Sequence, residues 1–266
     1  MRFHRPYIST TAAVIVSSLG VAAYQHVPEK LPAPAPGTAS AVQDAAGPAV
    51  QQQPAAATAE PRTSVPPPPQ YPARLPGLGP RTLARIPAGA RQVVLVTGTG
   101  KKSAVSRVVL YQRVDGGWRP GEVWAAHNGY RGWTDEHYAG DLHSPIGVFG
   151  LTDAGGRLAD PGTKLPYHRS GAFSISGAGI EGEPLAGAFD YVIAINYNRQ
   201  PGTSPMDGTQ PMGANRGGGI WIHVDHGGPT HACVSLSKAH MRQLLRALDP
   251  ADHPVVVMGD AASLAR

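Results

Sequence analysis

From about Glu29 to Pro80 this 266-residue chain is dominated by proline, alanine and glutamine, in runs such as LPAPAPG, QQQPAAATAEP and SVPPPPQYP. So few large apolar side chains cannot bury enough surface to offset the entropy of ordering the backbone. Proline runs instead favour extended polyproline II, at about 3.1 Å per residue. Residues 27–80 are therefore expected to be a disordered, semi-rigid spacer. The fold is confined to residues 81–266, a span that suits one domain with a sizeable core.

Ahead of the spacer, Arg2, His4 and Arg5 make a basic start, and an apolar stretch, TAAVIVSSLGVAA, follows over 11–23. It falls short of the roughly 20 apolar residues of a spanning helix. It fits the core of a signal peptide, roughly 7 to 15 residues long. Residues 1–26 read as a signal peptide or short membrane anchor. The rest is expected to be exported, at the cell wall or a membrane-attached cell surface. No cysteine follows the apolar core to carry a lipid. The net charge of +5 suits a place among anionic wall polymers or lipids. No basic patch interleaved with aromatics and no nucleic-acid motif is present, and a monomer is expected.

Within 81–266 strand-like runs dominate: 91–97 (RQVVLVT), 105–114 (VSRVVLYQRV), 118–126, 146–151 (IGVFGL), 189–197 (FDYVIAINY), 219–224 (GIWIHV) and 254–258 (PVVVM). Asp115-Gly-Gly predicts a turn that pairs the second and third runs as a hairpin. One helix is clear. Ser237 is a good N-cap, and Met241, Leu244, Leu245 and Leu248 follow at i, i+3, i+4, i+7, which lays one apolar face on a core. Asp249-Pro250 ends it. The fold class is mainly β, with this helix just after the chain's one cysteine.

That cysteine, Cys233, closes a segment that also holds His223, His226 and His231. A lone thiol cannot form an intramolecular disulfide, and in an oxidising compartment it is a liability. A thiol with imidazoles close by can be activated as a nucleophile; a small buried hydrophobe is the bland alternative. In the run 219–225, strand alternation sends Ile220, Ile222 and Val224 to the core. Trp221, His223 and Asp225 face the other way, as the wall of a cleft. The loop His226-Gly-Gly-Pro-Thr-His231 then returns the chain to Cys233, beside His223. An imidazole there can take the thiol proton. The polar stretch 198–219 faces the same end as a wall or lid, or is an ordinary surface loop.

These residues resemble the catalytic domain of the L,D-transpeptidases (the YkuD-type family), in an actinobacterial-like branch. The resemblance runs from about Gln92 to Gly259. It is carried by Gly129-Tyr-Arg-Gly132, Gly140-Asp141, His143-Ser-Pro-Ile-Gly-Val-Phe149, Lys164-Leu-Pro-Tyr167 and Tyr191-Val-Ile-Ala-Ile-Asn-Tyr-Asn198. Its decisive part is His223 on a strand followed by Thr230-His-Ala-Cys233, similar to the family's S/T-H-G-C.

The resemblance implies a β-sandwich-like catalytic domain with Cys233 as nucleophile and His223 as general base. Thr230, His231, Ala232 and Ser235 would contribute to substrate binding or to an oxyanion hole built around the Cys233 N–H. It implies that the base is oriented by a nearby backbone carbonyl; Asp225 is an alternative orienter. It implies a peptidoglycan L,D-transpeptidase that forms 3→3 cross-links between stem peptides through a thioester, with no cofactor and no metal. The alternatives are an L,D-carboxypeptidase or hydrolase using the same site, or a catalytically impaired wall-binding module. Ala232 stands where the family has Gly, and strain is expected if that position needs φ > 0. Ser235 stands where many members have Arg. His226 is expected to be solvated in its loop. A zinc site on His223, His226, His231 and Cys233 is weighed against a spacing that matches no known pattern. A regular strand would also not turn His223 and His226 to one side.

Overall fold

The computed structural model describes residues 70–266. The expected signal peptide and the spacer up to residue 69 lie outside the described residues. The packed chain begins before Arg81: the Trp118 N–H donates to the Pro72 carbonyl, and Leu75 is buried. Residues 70–80 thus lie on the domain and not in the spacer.

The domain is mainly β, as its sequence pattern requires. Strands β1 (Gln92–Gly98), β2 (Val105–Val114) and β3 (Gly117–His127) form an antiparallel meander. The turn at Asp115-Gly116 falls where the sequence puts it, with Gly116 at φ 86°. A two-stranded pair follows, β4 (Trp133–Thr134) with β5 (Ser144–Pro145). Then come β6 (Gly147–Gly156), β7 (Tyr167–Arg169), β8 (Val192–Ile195), β9 (Trp221–Val224), β10 (Val234–Leu236) and β11 (Val255–Asp260).

These strands form a nine-stranded sheet in the order β11-β1-β2-β3-β10-β9-β8-β6-β7, and it closes on itself where β11 also pairs with β6. Closure gives every strand of the ring two neighbours and leaves β7, paired only with β6, outside it. The interior holds Val94, Val96, Val108, Leu151, Ile193, Ile195, Ile222, Val234 and Met258. Strands β1 and β11 are buried on both faces, which explains their unbroken apolar runs. Val93, Leu95, Val255 and Val257 point away from the interior into a second cluster. Leu75, Leu78, Leu83 and Ile86 of the leading segment cover it.

The expected helix is α2 (Lys238–Ala247), preceded by α1 (Pro80–Leu83) and followed by α3 (Ala261–Leu264). Ser237 caps α2, accepting from the His240 N–H at 3.2 Å. Met241, Leu244, Leu245 and Leu248 are fully buried on the main core. The other two helices are single turns, too short to carry a periodic signal. Strand β10 escapes a sequence reading for the same reason: it has three residues.

Candidate active site

β9 and β10 lie side by side and parallel, with Ser235 opposite His223. Their even-numbered residues, Ile222, Val224, Val234 and Leu236, fill the core. The odd-numbered side chains of both strands therefore share the outer face. His223 projects there, yet it is only 3% exposed, because the segment 175–189 runs over it. Phe189 of that segment meets the His223 ring edge-on at 5.5 Å and the Trp221 ring at 5.0 Å.

Beneath the cover is a cavity of about 150 Å³. His223, Thr230, His231 and Cys233 line it from below, and Ile175, Ile180, Leu185 and Phe189 from above. The structure thus brings together the imidazole and the thiol that the sequence singles out. The cover itself gave no sequence signal, since its apolar residues are scattered among glycines. The stretch 198–219 lines none of this cavity. Asn198, at φ 43°, donates to the Gly213 carbonyl and accepts from the Met212 N–H. Arg199 is locked to buried Asp153 at 2.9 Å. The loop delivers the Gly219 carbonyl to the thiol and shapes a separate pocket of about 280 Å³ beside Trp221.

The His223 Nδ1 stands 2.9 Å from the Val224 carbonyl. A carbonyl only accepts, so Nδ1 carries the proton and Nε2 keeps its lone pair. Burial pushes the His223 imidazole down to about 4, against the Val224 carbonyl, which favours the protonated ring. Burial likewise pushes the Cys233 thiol up to about 11, although the Trp221 N–H at 3.4 Å favours the thiolate. The thiol's own proton has the Gly219 carbonyl as acceptor at 3.7 Å. Both shifts run in the direction that favours a neutral thiol and a neutral imidazole at rest.

Asp225 does not orient His223. Its carboxylate accepts from Ser235 Oγ at 2.7 Å and pairs with His127 Nδ1 at 2.8 Å. These contacts offset its burial and hold it down to about 2. Ser235 is fully buried, spends its hydroxyl on Asp225 and does not reach the cavity. His226 is not solvated: its side chain is 5% exposed, and its ring stacks on His223. β9 ends at Val224, and the turn that follows swings both rings to one side, which a continuing strand would not do.

The return loop is held by buried hydroxyls. Ser144 Oγ donates to the Ala232 carbonyl at 2.7 Å, and Thr230 Oγ1 to the Cys233 carbonyl at 2.7 Å. A peptide unit is planar, with N–H and C=O on opposite sides. Fixing the Ala232 carbonyl therefore aims the Cys233 N–H the other way. The N–H groups of His231, Ala232 and Cys233 find no backbone acceptor among the described residues. Ser144 belongs to the His143–Phe149 motif, but its role could not be read from spacing; it sits 88 residues before Ala232. Ala232 itself is unstrained. Among the described residues, the non-glycine residues with positive φ are Leu142, Asn198 and His253, and the Ala232 methyl packs in the main core.

Residues 115–257 match the L,D-transpeptidase catalytic domain family (YkuD). No curated protein matches the chain. Among solved structures the chain is similar to the helical cell shape determining protein Pgp2 from Campylobacter jejuni, at 19% identity and a TM-score of 0.35, over 64% of this chain and 47% of that one. It is also similar to Bd1075 of Bdellovibrio bacteriovorus, at 16% identity and a TM-score of 0.34, over 64% and 48%. The chain spans about half the length of each of these two proteins.

Proposed function

This chain belongs to the L,D-transpeptidase catalytic domain family, and from that premise we propose that it is an exported cysteine acyltransferase acting on peptidoglycan stem peptides. The observation that carries this reading is the shared cavity of Cys233 and His223, with His223 Nδ1 committed to Val224 and Nε2 left free as a base.

With burial favouring the neutral thiol and the neutral imidazole, the proton moves as the thiol attacks. The S–H turns from the Gly219 carbonyl and gives its proton to His223 Nε2 as sulfur bonds to the carbonyl carbon of the stem's third residue. The oxyanion that forms is met by the Cys233 N–H, whose direction Ser144 fixes through Ala232. The carbon–nitrogen bond then breaks, and the departing terminal D-Ala takes the proton from His223. A thioester on Cys233 remains. An amine from a neighbouring stem attacks it and loses a proton to His223; the carbon–sulfur bond breaks, the sulfur takes that proton, and a 3→3 cross-link is made. Water in place of the amine would give a carboxypeptidase.

Intact-protein mass spectrometry after exposure to a carbapenem, and separately to a stem tetrapeptide, tests the reading. An adduct on the wild type that Cys233→Ala lacks is expected. A folded wild type with a free thiol that takes no adduct from either reagent would leave the domain a wall-binding module.

A further inference from the structure

The loop after β9 carries an imidazole that this chemistry does not use. His226 lies almost flat against His223, with ring centroids 5.7 Å apart and planes 11° from parallel. Its Nδ1 stands 3.2 Å from Glu183 Oε1, and the two side chains are only 5% and 10% exposed. Neither of those two buried atoms makes a hydrogen bond among the described residues, so the two are left facing each other. Glu183 belongs to the covering segment, and its second oxygen accepts from the Glu181 N–H at 2.8 Å. The cover and the loop meet closely here: a Cβ added at Gly228 would fall 2.6 Å from Glu183 Cδ.

His223 is therefore gripped on three sides. Val224 fixes its Nδ1, Phe189 meets its ring edge-on, and His226 lies on its flat face. We propose that His226, paired with Glu183, is a positioning residue for His223, holding the ring in plane and tying it to the covering segment 175–189. This rests on the reading of His223 as the base. A line of contacts then runs from the cover, through Glu183 and His226, to the group that takes the thiol proton.

The charged and titratable groups around His226 come from three directions. Glu183 and Glu181 lie in the cover, His223 and Asp225 on the β9 side, and His231 and Cys233 on the return loop. His127 of β3 is already committed to Asp225. Of these, His226 bears on His223 by disfavouring its protonation, adding to the larger effect of burial. Replacing His226 by phenylalanine keeps a flat ring on the stack and removes the imidazole.

The test compares wild type, His226→Phe, His226→Ala and Glu183→Gln. It reads the His223 imidazole titration by NMR and the pH profile of Cys233 acylation by a stem tetrapeptide. His226→Phe is expected to raise the His223 midpoint and to carry the acid limb of acylation with it. His226→Ala is expected to lose the ring contact as well, slowing acylation on the order of tenfold. Glu183→Gln leaves the ring in place and is expected to weaken amide exchange protection across 175–189. An unchanged His223 midpoint in both His226 variants overturns the proposal, as does unchanged protection of the cover in Glu183→Gln. If the wild type is never acylated, the reading of Cys233 fails, while the His223 titration still decides whether His226 positions that ring.

Discussion

The Ser144 hydroxyl donates to the carbonyl oxygen of Ala232 at 2.7 Å, across 88 residues of chain. Both groups are buried, and the same Ser144 oxygen accepts from the Gly129 N–H at 2.9 Å. Ser144→Ala strands a buried carbonyl and a buried N–H. A loss of about 1–3 kcal/mol in stability is expected from denaturant unfolding. Acylation of Cys233 should also slow in protein that is still folded, because the Cys233 N–H is no longer aimed. Acylation at the wild-type rate would count against that N–H as the oxyanion donor.

Ala232→Gly is expected to cost stability without raising activity. Ala232 has no positive φ to relieve, and its methyl packs in the core. Loss of that methyl and the added freedom of the unfolded chain together destabilise by about 1 kcal/mol. A higher melting temperature in the Gly variant would refute this account of the site.

Stability should be greatest between the ordinary range of an imidazole and that of a thiol. His223 is lowered to about 4 by burial, so between its ordinary value of 6.5 and 4 the unfolded chain binds a proton that the folded one refuses. This contribution of His223 is complete above 6.5 and is lost as pH falls toward 4. Asp225, held down to about 2, extends the acid loss to lower pH. Cys233 is raised from 9.0 to about 11, so above 9 the unfolded chain ionises while the folded one stays protonated, and stability falls again. Denaturation midpoints across pH check the curve. Cys233→Ala should flatten its alkaline limb and leave the acid limb in place.

Asp153→Ala leaves Arg199 as a buried cation without its partner at 2.9 Å. A loss of about 3–5 kcal/mol is expected from denaturant unfolding. Amide exchange should quicken in 198–219, because Asp153 also accepts from the Gly202 N–H of that loop. Unchanged exchange there would show that the loop is held by Asn198 alone.

Much of this molecule was legible in its residue pattern. The runs at 105–114 and 118–126 became β2 and β3 because local alternation and a Gly-rich turn suffice to pair neighbours. The helix after Ser237 formed because its four apolar positions share one face. The nominated thiol and imidazole met because β9 and the loop after it are contiguous in sequence. By contrast, His226 and Ser235 were misjudged. His226 was read as solvated, but a cover from a different part of the chain buries it. Ser235 was read as a substrate contact, but Asp225 claims its hydroxyl.

By itself the sequence determined the periodicities, the turns and the identity of the reactive side chains, since these depend on neighbours a few positions apart. Only the tertiary structure decided what surrounds them. Closure of the sheet brought Ser144 to Ala232, the covering segment buried His223, and Glu183 reached His226 from 43 residues away along the chain. Burial and hydrogen-bond partners set whether a group is charged and where it points, and both come from chain segments that meet only on folding.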